Sequence, residues 1–325
     1  MYPYSSGQFN NILPIPCSSY GLPQPDQVER ILKTIADNPK DKLLVFDKSD
    51  GPVDNELEYI EWIDGLNLNR EYIIVTSNYN YHFNKHPKIV HYPRYFFTML
   101  GDVNTRIPDI TKPRPHKISC LNRNPWLHKS LNLLAMRKQP WFDQVQLSFG
   151  VYYPELLPSA VSGDLLALAT PEEIDYIESI YPMPLKSDQK DDVSKFESNA
   201  CPTYQSCYID YAPESRFDQI FISEKTWKPI FSGQFFFILG SCGIINYLRN
   251  VGIDTFDDLI DHSYDSEPDL PTRISMLMSS ITKFLSKDLD QVWADTLSRR
   301  QKNLDLVYNP DFQQSMSADL FSRVS

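Results

Sequence analysis

Glu224 and Lys225 are adjacent opposite charges inside an otherwise apolar stretch, "FISEKTWKPIFSGQFFFILG" at 221–240. A strand ending at Ser223 and a helix beginning after it put both charges in the helix's first turn, with Ser223 as the cap. Backbone N–H groups are unpaired there and the helix dipole is positive, which favours an anion. Lys225 adds a full positive charge suited to a diphosphate. Glu224 can accept two hydrogen bonds from a ribose diol, the part that acids play at strand–helix junctions of nucleotide folds. The plainer reading is an acid complementing the dipole beside a solvated lysine. Pro229 cannot donate to the Lys225 carbonyl, which leaves that oxygen for water or a ligand. Trp227 serves either packing or stacking on a base.

These residues need a sheet to position them. "KLLVFD" (42–47), "EYIIVTSN" (71–78) and "KIVHYPRYFF" (88–97, broken by Pro93) read as strands. Before and between them, 24–37 and 56–65 read as helices, the first capped by Asp26 and the second stopped by Gly65. Strands apolar throughout and alternating with helices are the pattern of a parallel sheet covered on both faces. Three prolines in 103–116 read as a linker. The pattern then restarts: strand 117–122, helix 125–138, strand 144–150, strand 217–223, the motif helix, and strand 234–240. Short helix 243–252 and long helical segments 273–289 and 291–309 follow. Residues 194–206 are polar and read as a surface excursion. The expected organisation is α/β, with an N-terminal Rossmann-like domain over 1–110 and a C-terminal one over 111–325.

Composition narrows the partners. With 31 Lys+Arg against 42 Asp+Glu the net charge is −11, which repels phosphate backbones and anionic lipids, so nucleic acid and membrane surfaces are not expected partners. No apolar run reaches the ~18 residues of a spanning helix, and the first residues lack the basic start and apolar run of a signal peptide. The five cysteines include no CxxC pair and read as free thiols in a reducing, cytoplasmic setting, with a Cys201–Cys207 disulfide as the alternative. His82 and His86 have a metal-like spacing, but Pro87 and a loop context argue against a ligand pair, so no metal site is expected. GxGxxG, GxxxxGK[ST] and GxSxG are absent, which counts against dinucleotide oxidoreductases, P-loop NTPases and α/β-hydrolases.

The stretch 221–240 resembles the nucleotide-sugar motif of α-1,3-fucosyltransferases, through Ser223, Glu224, Lys225, Trp227, Lys228, Gly233, Leu239 and Gly240. It is closer still to the fucosyltransferase-like proteins of large viruses and phages. Those also carry segments similar to "GIINYLRNVGIDTFDDLIDHSYD" (243–265) and "CLNRNPWLHKSL" (120–131). The resemblance covers about half of the chain, its C-terminal part. It implies two facing Rossmann-like domains of the GT-B type and an inverting, metal-independent transfer from a nucleotide diphosphate sugar, GDP-fucose-like. No cofactor is implied. It gives Glu224 to the ribose and Lys225 to a phosphate, and a further basic residue to the diphosphate. That role falls on Lys129, with Arg123 as the alternative. Phe221 stands where the family has Tyr, Phe236 where it has Pro, and Lys129 where Arg is commoner.

An inverting transfer to a glycan or other hydroxyl acceptor needs a general base. Asp47 and Asp50 in "LLVFDKSDG" stand after the first predicted strand, at an end that faces the cleft in such folds. Otherwise Asp47 caps a loop and Asp50 makes a turn with Gly51. Asp261, Ser263, Tyr264 and Asp265 either line the cleft or cap a helix. Two readings from other classes stay beside the enzyme: a non-catalytic nucleotide- or sugar-binding protein that keeps the donor pocket, and a host-interaction protein working through the acidic loop at 186–202.

Overall fold

The computed structural model describes residues 11–17, 22–49, 56–102, 105, 107–122, 124–150, 163–185, 199, 201–217 and 220–324. The chain divides into two compact units. Unit 1 takes Met1–Gly101 and Asn309–Ser325, and unit 2 takes Asp102–Tyr308. Each is an α/β structure on its own four-stranded parallel sheet. The break thus falls at Gly101/Asp102, nearer the start than 110/111, and the last helix joins the first unit rather than the second.

Unit 1 has strands β1 (Ile12–Pro16), β2 (Leu43–Lys48), β3 (Tyr72–Thr76) and β4 (Ile89–His91), in that order across the sheet. α1 (Pro25–Ala36) joins β1 to β2 and α2 (Glu56–Gly65) joins β2 to β3. Each crossover steps the same way, so right-handed connections put both helices on one face. Ile31, Ile35, Tyr59 and Ile63 pack there on Leu13, Ile15, Leu44, Phe46 and Ile74. The alternate residues, Ile12, Val45, Ile73, Val75 and Val90, face the other way, as the strand's period of two requires. That face is closed by the C-terminal helix Pro310–Val324 through Leu320 and Val324. Its polar ties are His91 N–H to Asp319 Oδ2 at 3.2 Å and Arg323 Nη1 to the Pro87 carbonyl at 2.9 Å. Each such buried aliphatic side chain contributes about 1.5–3 kcal/mol.

Several expectations change here. β1 holds Pro14 and Pro16, which hid it, but it is an edge strand where a missing donor is tolerated. The stretch read as strand 88–97 is strand only over Ile89–His91. After Pro93 it becomes α4 (Arg94–Gly101), which buries Phe96 and Met99 at helical spacing. α3 (Asn80–Phe83) is a single turn. Asp26 is not the cap of α1. Gln24 is, its N–H donating to Gln27 Oε1 at 3.0 Å, while Asp26 pairs with Arg30.

Unit 2 contains β5 (His116–Asn122), β6 (Val145–Phe149), β7 (Cys207–Pro213) and β8 (Phe235–Leu239), with spatial order β6-β5-β7-β8. The chain steps from β5 out to β6, then returns to the opposite side of β5 for β7. The crossovers therefore diverge between β5 and β7, and the carboxyl ends of these two strands form a topological switch point. α5 (Leu127–Arg137) follows β5, and the motif helix Glu224–Phe231 packs on β7 and β8. Long helix Leu270–Leu285 packs on α5 and β8.

The strand expected at 217–223 is in fact β7, ten residues earlier. Asp210 disguised it. That carboxyl is buried, accepts from Ser119 Oγ at 2.7 Å, and is pushed by burial to a pKa of about 7. Nor are residues 199 and 201–206 a surface excursion: Asn199, Cys201, Thr203 and Tyr204 are buried, and Asn199 donates to the Phe231 carbonyl at 3.2 Å. The predicted linker is bound to unit 2 over 110–114. Arg300 donates to the Ile110 carbonyl at 3.0 Å, Trp293 to that of Lys112 at 2.9 Å, and Arg114 to that of Gln205. Segment 291–309 is two helices, Leu289–Asp295 and Leu297–Tyr308. All five cysteines are free thiols. Among the described residues no helix is long and apolar enough to cross a membrane.

Candidate functional site

The first residue past β7 is Glu214, fully buried. Its N–H donates to the Leu239 carbonyl at 2.8 Å, carrying the β7–β8 pairing one residue further. Its carboxylate meets the start of the motif helix. Oε1 accepts from Ser223 N–H at 3.0 Å and from Thr226 Oγ1 at 2.6 Å. Oε2 accepts from Ser223 Oγ at 2.6 Å and from Ser215 N–H at 3.2 Å. Ser223 is the helix cap expected from sequence, its Oγ also accepting from Lys225 N–H at 3.2 Å. A hydroxyl donates once and accepts twice, so both contacts are compatible. Sequence reasoning missed Glu214 because it missed the strand before it.

Glu224 and Lys225 occupy the first turn, as expected. Lys225 Nζ lies 3.1 Å from Glu224 Oε1, 3.2 Å from Ser215 Oγ and 3.3 Å from Ser223 Oγ. The two side chains are only 10% and 15% exposed, so this is not the solvated ion pair of the plainer reading. The charges are held against protein, with one edge open to solvent.

Lys129, on the first turn of α5, is 1% exposed. Burial, then the nearby Lys225 cation, pull its pKa down to about 7, against smaller opposing effects of Glu214, Glu224 and Cys120. Its neighbour His128 ties the two sides of the switch point together, with Nε2 2.7 Å from the Glu214 carbonyl. Asn122, the last residue of β5, has its Oδ1 buried without a donor among the described residues. Two lysines from different helices thus share one electrostatic neighbourhood at the carboxyl ends of β5 and β7.

Other expected residues fall elsewhere. Trp227 and Phe221 are core residues, 0% and 2% exposed; Trp227 packs and does not offer a ring face for stacking. Gly240 follows β8, where a Cβ would lie 2.4 Å from Ile244 Cδ1 and 3.3 Å from Glu214 Cβ; its role is close packing behind Glu214. Asp265 accepts from the N–H groups of Ile245 and Asn246, both at 3.1 Å, and Asp261 from Ser263 N–H at 3.0 Å. They are caps. In unit 1, Asp47 Oδ1 accepts from Ser49 N–H at 2.9 Å and Ser49 Oγ at 2.6 Å, the loop-capping role set out above as one reading. Arg123 and Asp50 lie outside the described residues. Among those described, no group of three or more His, Cys, Asp or Glu is placed to hold a metal ion.

Comparison with protein-family models, with curated proteins and with solved structures finds no match to this chain. The geometry therefore carries the functional argument. One expected result follows from it directly. Glu224→Ala removes a partly buried first-turn acid worth up to about 2 kcal/mol to its helix, so the melting temperature falls by roughly 4–8 °C at most. If Glu224 takes a ribose diol, as the resemblance implies, nucleotide affinity drops by roughly tenfold for one lost bidentate contact. Equal affinity in variant and parent would remove Glu224 from the site.

Proposed function

We propose that the chain is a glycosyltransferase that binds a nucleotide diphosphate sugar at the switch point of unit 2. The single observation that carries the reading is the pairing of Lys129 and Lys225. A buried lysine stands near a second cation, where open parallel sheets bind ligands. Diphosphate oxygens satisfy both. Glu224 then takes the ribose, and Glu214 holds the turn that presents Ser223, Glu224 and Lys225. The two cations also offset charge developing on the departing diphosphate. A GDP-fucose-like donor, inverting and metal-independent transfer, the two-domain GT-B plan, a cytoplasmic setting and a viral or phage source all come from the resemblance and belong to the same proposal. The acceptor's proton goes to Asp47 or Asp50.

The experiment is donor turnover. The protein is incubated with a panel of GDP-, UDP-, CDP- and dTDP-sugars and simple glycosides, with and without EDTA. The reading expects release of one nucleoside diphosphate above background, unchanged by EDTA. Loss on chelation, restored by Mg²⁺ or Mn²⁺, contradicts the metal-independent mechanism. Nucleotide binding with no turnover of any donor favours the non-catalytic binding protein.

A further inference from the structure

We propose that Glu224 makes the site selective for ribonucleoside diphosphates by masking Lys225 from phosphates that arrive without a ribose diol; the inference rests on the donor-site reading. The Lys225 ammonium has three N–H donors. Three protein oxygens take them: Glu224 Oε1 at 3.1 Å, Ser215 Oγ at 3.2 Å and Ser223 Oγ at 3.3 Å. Ser223 Oγ is used to capacity, since it also donates to Glu214 Oε2 at 2.6 Å and accepts from Lys225 N–H at 3.2 Å. Ser215 is tied to the same carboxylate, its N–H donating to Glu214 Oε2 at 3.2 Å. Buried Glu214 thus fixes both serines around the ammonium, and Glu224 closes the third side.

Lys225 therefore meets a ligand already satisfied, and a phosphate oxygen has to take over one of its three bonds. Taking the Glu224 bond strands a carboxylate whose side chain is only 10% exposed, where loss of an ionic partner is costly. A ligand with both a diphosphate and a ribose diol mends both ends at once. Lys225 passes to a phosphate oxygen and Glu224 passes to the two hydroxyls. Inorganic pyrophosphate meets the lysine and leaves the acid unmet, and a 2′-deoxynucleotide meets the acid with one hydroxyl fewer. Pyrophosphate also brings its own negative charge close to that acid, which is unfavourable at short range. No covalent bond changes. The acid that favours the right ligand is the same group that turns away the wrong ones.

The test is calorimetry of the full chain with GDP, UDP, their 2′-deoxy forms and inorganic pyrophosphate, on the parent, Glu224→Ala and Glu224→Gln. The expected signature is two changes of opposite sign. Glu224→Ala should bind the ribonucleotide roughly tenfold more weakly than the parent. It should bind pyrophosphate roughly three- to tenfold more tightly, as expected for releasing an ion pair between the exposed and buried limits. The parent's preference for the ribo over the 2′-deoxy form, about tenfold for a hydrogen bond to a charged group, should disappear. Glu224→Gln keeps the shape without the charge and should show the same signs, which covers an alanine variant that fails to fold. In a Lys225→Ala background the pyrophosphate gain should shrink below about twofold, since there is no longer a lysine to unmask. A side chain with a merely structural role would weaken both ligands together. Nucleotide binding with pyrophosphate affinity unchanged or lowered in both Glu224 variants overturns the inference and leaves the donor site standing. A gain of full size without Lys225 overturns the masking of that lysine. No binding of GDP or UDP at about 1 mM overturns the donor site, and the inference with it.

Discussion

Replacing Glu214 by alanine is expected to destabilise unit 2 by on the order of 3–5 kcal/mol. The carboxylate is fully buried and accepts four hydrogen bonds, three of them from Ser223 and Thr226 at the head of one helix. Its loss leaves a backbone N–H and two hydroxyls without their acceptor, at about 1–3 kcal/mol for each buried group left unmade. For a unit of this size that is a fall of roughly 8–15 °C in melting temperature. Glu214→Gln keeps the volume and one acceptor oxygen but turns an amide N–H₂ towards donors, so about 1–3 kcal/mol is expected. The glutamine variant also tests function, because the loosened turn carries Lys225. Thermal unfolding of both variants checks this. A Glu214→Ala protein within about 0.5 kcal/mol of the parent would mean that this carboxylate does not hold the turn.

The second large effect belongs to the lysine pair. Each phosphate contact is a charge-assisted hydrogen bond worth about 1.5–3 kcal/mol, so Lys225→Ala and Lys129→Ala should each weaken nucleoside diphosphate binding ~10- to 150-fold. The double variant should lose more than the sum. Removing either lysine relieves the other of a repelling neighbour and makes it a better cation, so each single variant under-reports its loss. Exposed Lys302 serves as the control and should leave affinity unchanged. Loss with Lys225→Ala alone would keep the motif and move the second cation to Arg123. No loss with either would reduce the stretch at 221–240 to a capped helix.

What was legible in the sequence followed the strength of local pattern. α2 over Glu56–Gly65, β5, β6 and β8 lie where periodicity and apolar runs put them, because each is buried in a way its own residues record. Ser223 as a cap and the two charges in the first turn were equally local. What failed was non-local. β1 became visible only as an edge strand, since its prolines argue against a central one. β7 was hidden by Asp210, an acid tolerated in a core only because Ser119 on the neighbouring strand meets it. With β7 misplaced, nothing marked Glu214 as the residue at a strand's carboxyl end. The C-terminal helix belongs to unit 1 because sequential strand order leaves one face of that sheet uncovered, and nothing within residues 309–325 says so. Trp227 stands in a motif and yet packs in the core, which type and spacing alone could not decide.

The account's central claim is that the switch point of unit 2 holds a diphosphate between two helices. The most direct measurement is a crystal structure of the full chain grown with whichever of GDP, UDP, CDP or dTDP gives the largest thermal shift. The account predicts diphosphate density within hydrogen-bond distance of both Lys225 Nζ and Lys129 Nζ, with the ribose diol on the Glu224 carboxylate. A nucleotide bound elsewhere, or one at this site whose phosphates touch neither lysine, would contradict it.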